Sequence, residues 1–168
     1  MGTKRAITLQ VPAIAASERQ SGGGHLANFT EFQQRIARLG IGDAVLLRPL
    51  AYFGLAFWDW GVISGPELRE RERRIHEVLF PSIAFDATDH CPPDNEAGRK
   101  RWRNAKCDVL AMWCHIHYGG DIFVTRDRDF LKHSARSRLE QMGANKIATP
   151  EDTLAIVKTE SQLDERPV

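Results

Sequence analysis

Acidic side chains surround one short stretch of this chain, where they could bind a divalent cation. Asp127 and Asp129 come shortly after the β-rich residues 122–125, and Asp108 lies in the segment before them. Carboxylate oxygens are the ligands that hard cations such as Mg²⁺ prefer in proteins. A cation held there could activate a water molecule for hydrolysis of a phosphodiester bond. These residue types therefore indicate a hard-cation site.

A helix, a glycine turn and a strand are predicted to position these acids. Apolar residues recur three or four positions apart between Asn104 and Gly119, which predicts a helix. Gly119 and Gly120 would end that helix, and residues 121–125 form a β-rich run that is too short for another one. In an open α/β sheet, ligands bind at the carboxyl ends of the strands, which is where Asp127 would lie.

The remaining residues alternate between strand and helix patterns, which favours an α/β fold. Residues 5–11 and 146–149 predict strands, and residues 83–85 are a possible further strand. Helices are predicted at 13–20, 31–39, 67–80, 131–142 and 150–157, with Thr30 as the cap of the second.

Residues 44–63 are dense in Leu, Phe and Trp, and they are predicted to be mostly helical. Two interpretations of this aromatic block remain open. It could belong to the core, or it could form an exposed patch at which two copies of the chain meet.

Length and composition predict one cytoplasmic domain. The chain has 168 residues and a net charge of +1, and 27% of its residues are charged. This length suits a single domain, which we place at residues 1–158, with a frayed tail at 159–168. Three cysteines form no even disulfide framework, so a reducing compartment is expected. No sequence run is apolar enough to predict a membrane span.

Two further groups of residues are predicted to lie beside the acids. Glu18 follows the first predicted strand, and parallel strands would bring it to the same edge of the sheet as Asp127. Basic residues gather at the start of the helix that carries Asp108, where they could hold a phosphate backbone. The candidate nucleic-acid-binding residues are Arg101, Arg103, Asn104, Lys106, Thr125 and Arg126.

Several segments resemble a PIN domain. Residues 106–111 (KCDVLA) and 121–131 (DIFVTRDRDFL) are similar to its C-terminal half, and residues 143–151 to its last strand and helix. Residues 11–18 (VPAIAASE) are similar to its glutamate-bearing segment. The resemblance implies a three-layer α/β/α domain with a mostly parallel sheet. Its leading strand normally carries an aspartate, but residues 1–17 contain none. Either that strand is absent from this sequence, or residues 5–11 serve in a different way.

The same resemblance implies a function. PIN domains are metal-dependent ribonucleases, and many are toxins of bacterial toxin–antitoxin pairs. Glu18, Asp108 and Asp127 would hold Mg²⁺ or Mn²⁺ for RNA hydrolysis, with Asp129 as an accessory acid. The expected partners are RNA and either a second copy of the chain or an antitoxin-like protein. The alternative is a catalytically impaired PIN-like module that binds RNA or a protein, which the missing aspartate favours.

Other interpretations of the same residues stay open. Asp127 and Asp129 could cap the helix that begins near Phe130, and Asp108 could be an ordinary solvated residue. A group of Cys and His side chains offers a zinc site instead, although no closely spaced cysteine pair supports it. That group is Cys107, Cys114, His115 and His117.

Overall fold

The fold was determined as a computed structural model, which describes residues 7–17, 28–57, 60–90, 92 and 94–164. Glu18, one of the predicted metal ligands, lies outside these residues. The elements in chain order are β1 (Gln10–Pro12), a 3₁₀ turn (Ala13–Ser17), α1 (Phe29–Arg38), β2 (Val45–Leu47), α2 (Pro66–Leu79), α3 (Ala87–His90), α4 (Glu96–His117), β3 (Ile122–Val124), α5 (Arg128–Leu131), α6 (His133–Leu139), a π-helical turn (Glu140–Ala144), β4 (Lys146–Ala148) and α7 (Pro150–Asp164).

The strands of the described ranges form two short parallel pairs, so the fold is mixed α/β as expected. β1 pairs with β2 from Gln10 opposite Val45 to Pro12 opposite Leu47. β3 pairs with β4, with Phe123 opposite Ile147. Each pair is parallel because a helical segment returns the chain to the same end of the sheet before the second strand begins.

The predicted elements were correct where the apolar pattern was periodic. α1, α2, β3 and β4 lie within a few residues of their predicted positions, and α4 ends as predicted but begins eight residues before Asn104. α1 begins earlier than expected, because Asn28 rather than Thr30 caps it by accepting a hydrogen bond from the Glu31 amide. α7 continues to Asp164 rather than ending at Val157.

Two predicted elements were wrong. Residues 44–63 are not mostly helical, since they contain β2 and a parallel bridge between Leu50 and Val62. Residues 83–85 are not a strand, and the Ile83 amide instead donates to the Phe80 carbonyl in a turn. The apolar residues of both segments pack against distant parts of the chain. Their local sequence pattern therefore did not predict their secondary structure correctly.

Helix α4 forms the centre of the main core. Its Val109, Leu110, Met112 and Trp113 are completely buried. α2 packs against it through apolar residues that include Ile75. The helix ends as predicted, because Gly119 adopts the left-handed conformation (φ 67°) that favours glycine after a helix. α4 is therefore the element on which the positions of the neighbouring strands depend.

A second, smaller core lies between α1 and the 3₁₀ turn. Phe32 and Ile36 of α1 pack there against Ala13 and Ala16. The aromatic block contributes to it, since Trp60 stacks on Phe29 with 4.4 Å between ring centroids. Part of the same block is exposed, most clearly Phe53 and Ile63. The block therefore divides between buried and exposed residues, and a contact between two copies at its exposed part stays a prediction.

The described helices are also informative about membranes. None of those within the described ranges combines the length and the apolar composition that crossing a bilayer requires.

Candidate functional site

The predicted acidic edge begins where β3 ends. The Thr125 amide continues the pairing of β3 with β4 by donating to the Ala148 carbonyl (2.9 Å). The Asp127 amide then donates to Thr125 Oγ1 (3.0 Å), and Asp127 Oδ1 accepts from the Asp129 amide (2.8 Å). Asp127 is thus the N-cap of α5, as the capping interpretation predicted. Its exposed carboxylate is fixed in place at the carboxyl end of a parallel strand.

Asp129 is the second residue of α5, and its carboxylate is already engaged. Its Oδ1 accepts from Lys132 Nζ at 2.6 Å, and both side chains are partly exposed. An exposed ion pair of this kind is worth at most about 1 kcal/mol, because water screens both charges. A cation with a higher charge could therefore compete with Lys132 for this carboxylate.

Asp108 is the partly exposed member of an otherwise buried run, since every other residue from 105 to 110 is buried. The helix rises about 13 Å between Asp108 and His117, at 1.5 Å per residue. β3 and Thr125 extend about 16 Å from Gly120, at 3.3 Å per residue. α4 packs on β3 through His115 and Phe123, whose rings lie 5.3 Å apart. These ideal lengths predict that Asp108 lies near the level at which β3 ends.

The acids are nevertheless not gathered into a closed metal site. Within the described part of the chain, no three His, Cys, Asp or Glu side chains are placed to hold a metal ion together. Asp108, Asp127 and Asp129 thus share a region of the fold without forming such a group. The fourth predicted ligand, Glu18, lies outside the described residues, so its position relative to them is not defined.

The side chains of the alternative zinc site serve packing roles. Cys114 is completely buried, and burial raises the pKa of its thiol to about 12, which opposes the thiolate that zinc requires. His115 Nε2 donates to the Ala144 carbonyl (2.9 Å). His117 stacks on Trp113 with their ring centroids 4.3 Å apart. Cys107 is buried in the main core.

The predicted RNA contacts divide into exposed and engaged residues. Arg101 and Asn104 are exposed on α4. Arg126 is exposed and forms an ion pair with Glu151. Arg103 Nη1 donates to the Gly54 carbonyl. The Thr125 hydroxyl accepts from the Asp127 amide, so it serves the cap of α5.

The prediction that Lys106 contacts RNA was wrong. Its side chain is completely buried, and Nζ donates to Glu72 Oε1 of α2 at 2.7 Å. The Tyr52 hydroxyl lies 2.8 Å from both carboxylate oxygens of Glu72. Lys106 Nζ also lies 3.8 Å from the centroid of the Phe85 ring and 5.3 Å from that of Trp102. The Lys106 ammonium group, which was predicted to contact phosphate, is therefore enclosed by protein.

Burial dominates the electrostatics of this Glu72–Lys106–Tyr52 cluster. Desolvation lowers the pKa of Lys106 despite the opposing effect of the Glu72 charge. Desolvation, followed by the charge of Glu72, raises the pKa of Tyr52. The cluster links α2 and α4 to the loop that contains Tyr52. Because its three polar side chains form hydrogen bonds with one another, we assign the cluster a structural role.

Two buried histidines should make stability depend on pH. Desolvation lowers the pKa of His76 and His115 below 6.5, and it outweighs the bonds from Nε2 to the carbonyls of Ile83 and Ala144. Below about pH 6.5 the unfolded chain binds protons that the folded chain does not, so stability falls as pH drops through this range. We expect each histidine to remove up to about 1.4 kcal/mol per pH unit, until the folded state also protonates.

Urea unfolding at about pH 7.5, 6.5 and 5.5 would measure this dependence. His115→Gln should make stability less dependent on pH, whereas His133→Gln, at an exposed position, controls for the loss of an imidazole. An equally steep pH dependence in His115→Gln would contradict the expectation for that residue.

Comparison with known proteins did not identify this chain, since no family model, curated protein or solved structure matches it.

Proposed function

We propose that this chain is a PIN-like, metal-dependent ribonuclease with a three-layer α/β/α architecture. The observation that carries the proposal is the position of Asp127 at the carboxyl end of the parallel pair β3–β4. Asp108 lies near the same level on the adjacent α4. Glu18 and Asp129 complete the proposed set of acids.

The donor atoms of this set fit a hard cation. The described members offer only carboxylate oxygens, which suit Mg²⁺ or Mn²⁺ and discriminate against softer metals. Asp127 is fixed by its cap hydrogen bonds before any ligand arrives, which reduces the ordering that binding requires. A bound cation would supply the charge that activates water and stabilises the leaving oxygen.

Mn²⁺-stimulated cleavage of RNA is the direct test of this proposal. We expect slow cleavage of a fluorescent single-stranded RNA that is faster with Mn²⁺ than with Mg²⁺, because Mn²⁺ tolerates imperfect coordination better. Excess EDTA should stop the reaction. In calorimetry, Mn²⁺ should bind at millimolar or tighter levels, and Asp108→Asn should weaken binding. No heat of binding together with no cleavage would remove the proposal.

A second candidate is a PIN-like module that binds RNA or a protein without cleaving it. Two observations favour it: the described acids do not form a group of three, and Asp129 is paired with Lys132. Binding of RNA with no metal-dependent cleavage would support this second candidate. Both candidate functions are compatible with a homodimer or with an antitoxin-like protein partner. Sedimentation of the purified chain would test self-association.

A further inference from the structure

Phe53 is an aromatic ring presented on a loop that helix α4 holds. The side chain is 88% exposed. Both of its neighbours are anchored, since the Tyr52 hydroxyl contacts Glu72 and the Gly54 carbonyl accepts from Arg103 Nη1. A single exposed apolar ring is common on protein surfaces, so the exposure of Phe53 alone carries no functional argument. The Arg103–Gly54 contact, however, places the loop that carries the ring beside the basic first half of α4.

The surface of α4 beside this loop is strongly basic. Residues 96–104 of α4 include four cations and one acid. The cations are Arg99, Lys100, Arg101 and Arg103, and the first three are exposed. None of them takes part in an ion pair within the ranges that the structure describes. Arg99 is one helical turn before Arg103, so both lie on the face of α4 that meets the Phe53 loop.

We propose that Phe53 and the first half of α4 form a binding surface for single-stranded RNA. An unpaired base would stack on the Phe53 ring, while adjacent phosphates contact Arg99 and Lys100. Aromatic platforms beside cationic grooves bind single strands in this way, because every base has a stacking face and every linkage has a charge. The exposed Arg99 and Lys100, which lie on the side of α4 near Arg103, favour a polyanion over an apolar protein surface.

The surface leads towards the proposed acidic site. At 3.6 residues per turn, Lys100 and Asn104 lie on the surface of α4 between the Arg103 face and the Asp108 face. A strand that crosses α4 from Phe53 would therefore pass over Lys100 and Asn104 before it reaches Asp108. In this respect the inference rests on the proposed ribonuclease, since it names how the substrate of that site is held.

Binding of labelled RNA in EDTA tests the surface without any cleavage. We would measure the fluorescence anisotropy of a single-stranded RNA with the wild type, Phe53→Ala, Phe53→Leu and Phe53→Trp. Loss of a stacked base should weaken binding roughly 5- to 100-fold in the alanine and leucine variants. Phe53→Trp should bind like the wild type because it keeps a stacking face. Leu39→Ala, at the exposed apolar residue that follows α1, should change nothing.

The salt dependence of binding separates the two parts of the surface. Arg99→Gln should lower the slope of log affinity against log salt by about 0.7, the value for one phosphate contact on a single strand. Phe53→Ala should leave that slope unchanged, because stacking releases no counterion. The wild type and Phe53→Ala should bind a duplex of the same sequence with equal affinity, since the bases of a duplex are already stacked on one another. Unchanged thermal midpoints would show that each variant folds.

Specific results would overturn the proposal. Absence of RNA binding by the wild type would do so, as would wild-type affinity in Phe53→Ala. Wild-type affinity in Phe53→Leu, together with self-association that Phe53→Ala abolishes, would assign the ring to a protein contact instead. Phe53-dependent binding without cleavage would support this surface and remove the nuclease, whereas metal-dependent cleavage with Phe53-independent binding would remove only the surface.

Discussion

Lys106→Met should lower the free energy of unfolding by about 3–5 kcal/mol, the usual effect of removing one partner from a buried ion pair. Among the described residues, the substitution leaves the completely buried Glu72 carboxylate with the Tyr52 hydroxyl as its remaining hydrogen-bond partner. Methionine fills a similar volume, so the loss reflects the unpaired charge rather than a cavity. Domains of this size are stable by about 5–15 kcal/mol, and the variant would therefore be close to unfolding at physiological temperature.

Two controls would separate charge from packing in that experiment. Adding Glu72→Gln to Lys106→Met removes the buried charge while it keeps an acceptor for Tyr52, so most of the lost stability should return. Arg126→Gln breaks an exposed ion pair and should cost less than about 1 kcal/mol. Urea unfolding followed by circular dichroism would report all three. If Lys106→Met costs no more than Arg126→Gln, the pair is not buried in solution.

The sequence correctly predicted the helices and strands that neighbouring residues alone determine. α4 and β3 were predictable because an apolar stripe, a glycine stop and a short β-rich run follow one another within about thirty residues. The capping role of Asp127 was also predictable, since a cap depends only on the next turn of helix. Local pattern and tertiary environment agree in this part of the chain.

Residues 44–63 were misjudged because their structure depends on distant partners. β2 is a strand because β1, some 35 residues earlier by the register of Gln10 with Val45, supplies its hydrogen-bonding edge. A run of Leu, Phe and Trp without periodicity gives no local signal for that partner. The same segment divides between the core at Leu50 and solvent at Phe53, which hydrophobicity alone does not distinguish.

The buried ion pair was missed for a related reason. Glu72 lies in a helix of alternating charge, a pattern that usually marks a solvated surface. One signal could have found it: Glu72 is three and seven residues before Ile75 and Leu79, so it shares their buried face. Lys106 likewise lies between the buried residues Ala105 and Cys107. Which cation meets which acid, 34 residues apart, is decided by the packing of α2 on α4.

The sequence predicted the local positions of the individual acidic residues, but not how they are arranged relative to one another. Asp127 lies at the end of its strand and Asp108 near the same level, and both positions follow from local elements. Whether carboxylates lie within reach of one cation depends on the relative placement of α4, α5 and the segment that carries Glu18. That placement is a tertiary property, and no pattern in the sequence specifies it.

Asp127→Asn should reduce metal-dependent RNA cleavage by about 100-fold or more, if the proposed function is correct. A carboxylate that contacts the cation contributes several kcal/mol of charge stabilisation, and each 1.4 kcal/mol corresponds to tenfold in rate. The amide oxygen of asparagine still accepts the hydrogen bond from the Asp129 amide, and asparagine caps helices as well as aspartate does. The variant should therefore unfold at the same urea concentration as the wild type, which isolates the effect of charge.

Asp121 provides the matched control, because it is exposed just before the opposite end of β3. Asp121→Asn removes the same charge from the chain and should leave cleavage unchanged. Asp129→Asn should reduce the rate less than Asp127→Asn does, since Asp129 is farther from the strand end and already pairs with Lys132. The measurement is initial-rate cleavage of a fluorescent single-stranded RNA with Mn²⁺. Equal rates for the wild type and Asp127→Asn would reveal a contaminating nuclease, and the enzymatic proposal would then have to be dropped.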